Sequence, residues 1–534
     1  MLSTARRSVA RPAFASGVVR RATLVGLLLL FVAVSLLHLD RLPPVFEDEP
    51  WQASTGWSIA RDGVFGSDMF TGYYGMDRHY YGYMPVHPLL LAVTFRVVGI
   101  GVEQMRLEAT AMALATLLLT WLLARRLFDD VVALLGVAML VIVRLLGTSP
   151  VALTGIPLVD GARIARYDIV VPVFGLGALL AYVHARDHSG WLWYAATGLL
   201  AALAGLSHVY GAFWIIALAL LALWDRARPL QLAVLAFGFV APCLGYLAYV
   251  LPHLDDWRGQ TRIYSPRFEL LDVSWHVSNV LDEYHRYGPG LGPFGWGWLT
   301  RPGFWAALVV LPASLVALAR RGMRGDCAAR AIVVPAMVIP TLFAPLLYVK
   351  QASYLLTVVP LGAIAAAWGV ITLWRRLPPA NWLRVALATL GLLLALEGLA
   401  QVRGVDADAA RTTPYDAYVA RLRVEAPSGA RVLGVHTWWL GFHDADFRAW
   451  LVPLLEADPR YAQPPLPIDA ALDRVNPDVV LIDAELRAVL DARPDLGAGV
   501  AAWLAGNGLT RVATIDDPTW GATEVYRRDP PDGG

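Results

Sequence analysis

The sequence predicts a polytopic α-helical membrane protein with a soluble α/β domain at its C-terminal end. Three observations carry that reading. The chain has 534 residues, 57% hydrophobic and 16% charged, with mean hydropathy +0.51, whereas a soluble chain carries about 25% charged residues. Apolar runs long enough for membrane helices recur between residues 22 and 402. Beyond residue 404 the pattern changes to short β-rich runs alternating with helical stretches.

The first run, 22–39 (ATLVGLLLLFVAVSLLHL), is close to the shortest stretch that crosses a bilayer. Arg6, Arg7, Arg11, Arg20 and Arg21 precede it and no small-residue cleavage site follows. It reads as an uncleaved span with its N-terminus in the cytoplasm. Further runs occupy 104–127, 129–147, 168–185, 191–206, 209–224, 229–251, 303–319, 330–348, 352–374 and 382–402. Segment 85–100 is short and interrupted by Arg96. If it spanned, Arg125/Arg126, Arg226/Arg228, Arg320/Arg321/Arg324 and Arg375/Arg376 would all lie outside. Laid on the membrane surface, it leaves all of them in the cytoplasm, as positive charge prefers. The prediction is therefore about 11 transmembrane helices within residues 1–403, with outer-face loops at 40–103, 148–167 and 252–302.

Residues 404–534 read as an extracytoplasmic α/β accessory domain. Strand-like runs stand at 431–435, 478–483, 511–516 and 523–528, with helical stretches at 485–492 and 497–506. That alternation predicts a small, largely parallel sheet. The net charge of +1 offers no general attraction to nucleic acid. Cys243 lies in a span and Cys327 in a basic loop, so no structural disulfide is expected between them.

The most informative feature is Glu47, Asp48 and Glu49, just beyond the first span. Carboxylates at a membrane face must be hydrated, paired or used, because desolvating them is costly. Asp48 and Glu49 open an amphipathic segment, EPWQASTGWSIARDG, that Gly63 ends. Helix capping accounts for one acid there, not for three. Asp168 stands at the mouth of the fourth span; it is a second candidate acid or simply the ion-pair partner of Arg163 or Arg166, with Asp160 a weaker rival. The stretch HYYGYMPVHPLL (79–90) leads into the interfacial helix. Its Tyr80, Tyr81 and Tyr83 form an aromatic belt or line an acceptor groove, and His87 is a further groove candidate. His208 breaks the fifth and sixth spans, and Lys350, near Tyr354, is a cation on the outer side. Lys350 either binds a phosphate at the membrane surface or snorkels. In the tail, His436, His443, Asp444 and Asp446 form the one polar cluster. Neither a nucleotide fingerprint nor a compact metal spacing in 252–302 occurs.

In this order, the motifs resemble a GT-C-fold, lipid-linked-sugar-dependent glycosyltransferase of the aminoarabinose transferase and protein O-mannosyltransferase branch. An Asp-Glu pair (Asp48-Glu49) follows the first span, and a Tyr/Pro-rich segment (Tyr83, Pro85, Pro88) precedes the second. The turn ARRLFDD follows the second span, Asp168 begins the fourth, and Lys350, Tyr354 and Leu355 precede a late span containing Pro360. The resemblance covers about residues 22–375. It implies transfer of a sugar from a polyprenyl-phosphate-linked donor to a hydroxyl of a lipid, glycan or protein acceptor. Transfer would be by inverting displacement, at the outer face of the cytoplasmic membrane. It implies Asp48 as general base, Glu49 beside it, Asp168 as second active-site carboxylate, and Lys350 with Tyr354 on the donor phosphate. Tyr81, Tyr83, His87 and His208 would line the groove. In branches that use a divalent metal ion, Asp48 and Asp168 would hold it. Two other classes fit the composition: a secondary transporter or lipid flippase, which places charges midway through spans, and a non-catalytic envelope assembly protein.

Overall fold

The computed structural model describes residues 17–145, 153–188, 190–287, 301–379 and 381–528. Arg6, Arg7, Arg11, the end of the third predicted span (146–147) and residues 288–300 of the long outer loop lie outside the described residues. Helices occupy every predicted apolar run. The first stretch holds α1 (Gly17–Leu36), α2 (Asp48–Asp62), α3 (Val86–Val98), α4 (Val102–Leu127) and α5 (Asp130–Ile142), then the short α6 (Pro157–Gly161). α7 (Val170–His188), α8 (Trp191–Gly205), α9 (Phe213–Trp224) and α10 (Pro229–Val250) follow, then the short α11 (Leu254–Thr261) and α12 (Val273–Leu281). α13 (Pro302–Met323), α14 (Cys327–Leu346), α15 (Val359–Arg376) and α16 (Trp382–Ala409) complete the bundle.

Among the described residues, seven helices are long and apolar enough to cross a membrane: α1, α4, α7, α10, α13, α14 and α16. The runs predicted as the third, fifth and sixth spans form shorter helices, α5, α8 and α9, of 13, 15 and 12 residues. The tenth forms α15, of 18 residues. Leu230, Phe237, Val240, Leu244 and Leu247 on α10, and Leu392, Leu393, Leu396 and Leu399 on α16, are exposed. Apolar faces of this extent are covered by lipid rather than water. The chain is a multi-pass membrane protein.

Charge distinguishes the two ends of the bundle. Asp130 pairs with Arg20 (3.0 Å) and Arg125 (2.8 Å), and Asp129 with Arg375 (2.7 Å). Asp187 pairs with Arg126 (2.6 Å), and Asp225 with Arg330 (2.9 Å). These pairs gather the start of α1, the α4–α5 turn and the ends of α7, α9 and α15 at one end. α1 leaves that end and α4 returns to it, so the 13-residue α3 between them adds no crossing. At the opposite end His38 Nε2 meets Asp406 Oδ1 at 2.8 Å, joining the exit of α1 to the end of α16.

The tail contains α17 (Tyr415–Val424), β1 (Arg431–Gly434), β2 (Asp446–Ala449), α18 (Leu451–Ala457), α19 (Ile468–Val475), β3 (Val479–Ile482), α20 (Ala484–Ala492), α21 (Pro494–Gly506), β4 (Leu509–Ile515) and β5 (Thr523–Arg528). The sheet order is β2-β1-β3-β5-β4. β1 runs parallel to β2 and β3, but β5 is antiparallel to both β3 and β4. The expected, largely parallel sheet is therefore mixed. The link between β4 and β5 is too short for the crossover a parallel pair requires, so the two close as a hairpin. β3, VVLI, is buried throughout, as a central strand should be.

This domain does not stand apart from the bundle. Tyr415, Tyr418, Trp438, Trp439 and Phe447 share one core with Met69, Phe70, Tyr73, Leu91 and Met105. Trp439 Nε1 donates to Asp68 Oδ1 at 3.2 Å, and Arg448 donates to Asp68 O and Thr71 Oγ1 at 2.6 Å each. α2 lies between the two parts, and it is not the half-exposed surface helix its sequence suggests. Gln52, Ala53, Ser54, Thr55, Gly56 and Ser58 are all buried. Gly56 permits the close crossing of α3: a Cβ there would meet Leu91 Cβ at 2.7 Å and Pro88 O at 3.2 Å.

Candidate active site

The start of α2 separates the roles of the acids. Glu49 is fully buried, and four donors saturate its carboxylate. Arg106 Nε and the Ala165 amide donate to Oε1, both at 2.9 Å. Arg106 Nη2 donates to Oε2 at 2.7 Å and the Phe46 amide at 2.9 Å. Charge-assisted, bidentate pairing of this kind fixes geometry. Glu49 is thus an anchor locking the start of α2 to α4 and to the segment before α7. The catalytic role expected for it is corrected, because no lone pair remains for an acceptor proton.

Asp48, one residue earlier, faces the other way and its side chain keeps 18% exposure. Its Oδ1 accepts from the Tyr83 hydroxyl at 3.1 Å, and its Oδ2 lies 3.5 Å from Arg166 Nη2. Arg166 reaches a second carboxylate as well: Nε stands 3.1 Å from Asp168 Oδ2. Tyr210 donates to Asp168 Oδ1 at 3.1 Å. Arg166 further donates to Tyr167 Oη (3.1 Å) and Gln351 Oε1 (3.0 Å), with its guanidinium over the Phe46 ring. The structure thus unites Asp48 and Asp168 around one buried arginine. Asp168 is both the ion-pair partner of Arg166 and a neighbour of Asp48. The other two nearby charges are structural. Arg163 donates to the carbonyls of Val34, Ser35, Leu37 and Leu42. Asp160 accepts from Thr154 and Gly155.

The aromatic residues divide. Tyr83 packs edge-on to Trp51 and lies 5.7 Å from Tyr167, inside the cluster. His208 stacks on Tyr167 at 4.4 Å and lies 5.3 Å from Tyr354. Burial, helped by Arg166 and Arg267, pushes its imidazole down to about 3, so it is neutral. Tyr81 turns away: its amide donates to Gln260 Oε1 and its ring meets Tyr249. His87 is likewise not at the cluster. It is fully buried, contacts Gln52 Oε1 through Nδ1 and lies 3.3 Å from Glu108 Oε2 through Nε2. That places it among α2, α3 and α4 as packing rather than as groove lining.

Lys350 is nearly buried and is not free. It donates to Glu283 Oε2 and to Ala344 O, both at 3.0 Å. Burial lowers its pKa, and Glu283 opposes that shift. Glu283 is shared with the buried Arg286, whose Nε donates to Oε1 at 2.6 Å. Arg286 also donates to Gln351 O and lies over the Tyr354 ring at 5.6 Å. Lys350 and Arg286 thus converge on one carboxylate beside Gln351 and Tyr354. The sequence does not single out Arg166 and Arg286 as binding residues, because arginines outside spans are common; only their convergence on Gln351 distinguishes them.

The α/β domain supplies one more group. His436 Nε2 lies 3.7 Å from Glu47 Oε2, and its ring is 5.4 Å from that of Trp51. The His436 contact holds the Glu47 carboxyl below its usual range. His443, Asp444 and Asp446 do not join it. His443 packs on Trp57, Asp444 pairs with Arg423, and Asp446 pairs with Arg431 and Arg448.

Asp48 and Asp168 do not fit a divalent cation between them. The Arg166 guanidinium already lies against an oxygen of each, and a metal ion there would face that fixed positive charge.

Comparison with known proteins agrees with this architecture. A family model described as dolichyl-phosphate-mannose-protein mannosyltransferase matches residues 83–254. ArnT from Cupriavidus metallidurans, bound to undecaprenyl phosphate, is similar in structure with a TM-score of 0.61 at 13% identity, covering 96% of this chain and 98% of that one. The Archaeoglobus fulgidus oligosaccharyltransferase tethered to an acceptor peptide gives a TM-score of 0.53 at 14% identity, over 95% of this chain and 74% of that one. AglB from the same organism, with an inhibitory peptide and a dolichol-phosphate, gives 0.50 at 15% identity, over 96% and 75%. No curated protein matches by sequence. The chain has the GT-C fold of these membrane glycosyltransferases.

Proposed function

We propose that this GT-C membrane glycosyltransferase moves a sugar from a polyprenyl-phosphate carrier to an acceptor hydroxyl at the outer face of the cytoplasmic membrane. The observation that carries the reading is the Asp48–Arg166–Asp168 constellation at the bundle end opposite the arginine belt, with Lys350 and Arg286 beyond it. The family match and the carriers bound to ArnT and AglB support a lipid-phosphate donor. The acceptor would be a lipid, a glycan or a protein.

The chemistry needs little more than these groups supply. Asp48 takes the proton of the acceptor hydroxyl as its oxygen attacks the anomeric carbon. The bond from that carbon to the carrier phosphate breaks, and the electron pair leaves with the phosphate. Attack opposite the leaving group inverts the anomeric centre in one displacement. Positive charge at Arg286, Lys350 and Arg267 favours the departing phosphate. A bound phosphate would compete with Glu283 for Lys350 and Arg286, which gives Glu283 the role of holding both cations in place before the donor arrives. Arg166 lies against an oxygen of each carboxylate and fixes both. His436 of the α/β domain meets Glu47 at the same helix end, on the side an acceptor would approach.

The test is release of polyprenyl phosphate from a panel of undecaprenyl-phosphate monosaccharides by protein in nanodiscs, with native membrane extract as acceptor. Asp48→Asn should lower turnover by about 10²–10⁴-fold, the range a positioned base contributes, while Lys350→Ala weakens donor binding as well. Undiminished turnover in Asp48→Asn would overturn the assignment of the base.

A further inference from the structure

A second constellation of ligating side chains lies apart from Asp48, where the loop after α2 meets α11. His79, His253 and Asp256 each offer one ligand atom, and these atoms all lie within 4.8 Å of one another. Among the described residues no other group of three or more His, Cys, Asp or Glu does so. His79 Nδ1 stands 3.8 Å from Asp256 Oδ2, and its ring stacks on that of His253 with centroids 3.6 Å apart. Two ligands of a tetrahedral zinc with bonds of about 2.0–2.1 Å lie about 3.4 Å apart, so the set closes once the two stacked rings turn their in-plane lone pairs toward one point beside Asp256.

Three further features point to a ligand. His79 Nδ1 is buried with no hydrogen-bond partner, and a buried polar atom left so is costly. Gly75 takes a left-handed conformation (φ 65°) under the Asp256 carboxylate, and a Cβ there would meet Oδ2 at 2.8 Å. The loop is also already held against this helix face. Gln260 accepts from the Tyr81 amide at 2.7 Å and donates to Tyr74 O (2.9 Å) and His79 O (2.6 Å). Asp256 and Gln260 share one face of α11 by their four-residue spacing, and His253 stands at its N-cap.

We propose that His79, His253 and Asp256 form a divalent transition-metal site, with zinc the ion that suits two imidazoles and a carboxylate. The ion clips the loop at residues 74–83 to α11, and so holds the segment that carries Tyr83 to Asp48. It is a structural clip, separate from the Asp48–Asp168 pair.

The test reads metal directly and does not depend on the proposed activity. Full-length, tag-free protein in detergent is stripped with chelator, dialysed against micromolar free Zn²⁺ and analysed for metal by mass spectrometry, with Co²⁺ absorption reporting the ligand field. The wild type should retain one ion per chain, show a tetrahedral Co²⁺ spectrum and gain thermal stability with Zn²⁺. His79→Gln, His253→Gln and Asp256→Asn should each lose retention by at least tenfold. His184→Gln/His188→Gln, which removes a stacked histidine pair elsewhere, should retain the ion. Monodisperse elution of each variant confirms folding. Equal metal retention in wild type and all three site variants, or none in the wild type, would overturn the proposal.

Discussion

Replacing Glu49 by glutamine tests the division of labour at the start of α2. The carboxylate accepts two hydrogen bonds on each oxygen: from Arg106 Nε and Ala165 N on one, and from Arg106 Nη2 and Phe46 N on the other. An amide can present only one oxygen. Whichever way it flips, its NH₂ faces two donors. Arg106, fully buried, keeps the Leu39 carbonyl and one bond to the amide oxygen but loses its paired carboxylate. Breaking a buried pair by altering one member costs about 3–5 kcal/mol, roughly a 10²–10⁴-fold shift in the folding equilibrium and much of the stability of a typical domain. Thermal unfolding in detergent, followed by tryptophan fluorescence, should show a clear fall for Glu49→Gln and little change for the partly exposed Asp48→Asn. Glu49→Leu/Arg106→Met, which removes both charges, should recover part of the loss. If Glu49→Gln is as stable as wild type yet inactive, Glu49 is a reacting group and the anchor assignment is wrong.

Two further outcomes follow from the same packing. His208 is held neutral, its pKa pushed from 6.5 down to about 3. Between those values the unfolded chain binds the extra proton, so stability should fall as pH drops below 6.5, and His208→Phe should flatten that dependence in a pH series of unfolding midpoints; an unchanged slope would refute it. Trp439→Ala removes a buried indole and its bond to Asp68, a change costing about 3–5 kcal/mol. It should loosen the α/β domain and expose residues 410–414 to limited proteolysis; resistance equal to wild type would show that the domain is held by other contacts.

The parts of this molecule legible in sequence are those that a single physical effect decides. Hydropathy places a helix on every apolar run, and the arginine distribution assigns α3 to the surface, a conclusion the Arg20–Asp130 contact supports from geometry. β3 and β4 are legible because Val and Ile cluster in them, and β1 and β5 because Val stands there with Leu or with Thr and Tyr. β2, DFRA, is not: its Asp446 pairs with Arg431 on the neighbouring strand, and its Arg448 donates to Asp68 O and Thr71 across the domain boundary. The burial of α2 is hidden for a related reason. Gln, Ser and Thr read as solvent-facing, yet Ser54 meets Ser67 at 2.6 Å and Gln52 meets His87, so partners distant in sequence satisfy them.

The same limit explains the site. Adjacent acids look equivalent in a sequence, but a helix turns about 100° per residue. Asp48 and Glu49 therefore face different neighbours, one a tyrosine hydroxyl and a shared arginine, the other a saturating set of donors. Which acid keeps a lone pair for chemistry depends on Arg106, Ala165 and Phe46, and two of these lie far along the chain. In sequence, Arg166 is visible only as an ion-pair partner for Asp168, and its reach to Asp48 requires the loop before α7 to fold back beneath α2. His436 arrives from nearly four hundred residues away, because the α/β domain shares a core with the 40–103 loop. Separating the bundle from the tail at residue 404 would thus cut α16 internally and remove the residue that faces Glu47. The α/β domain is, in this structure, one wall of the candidate site.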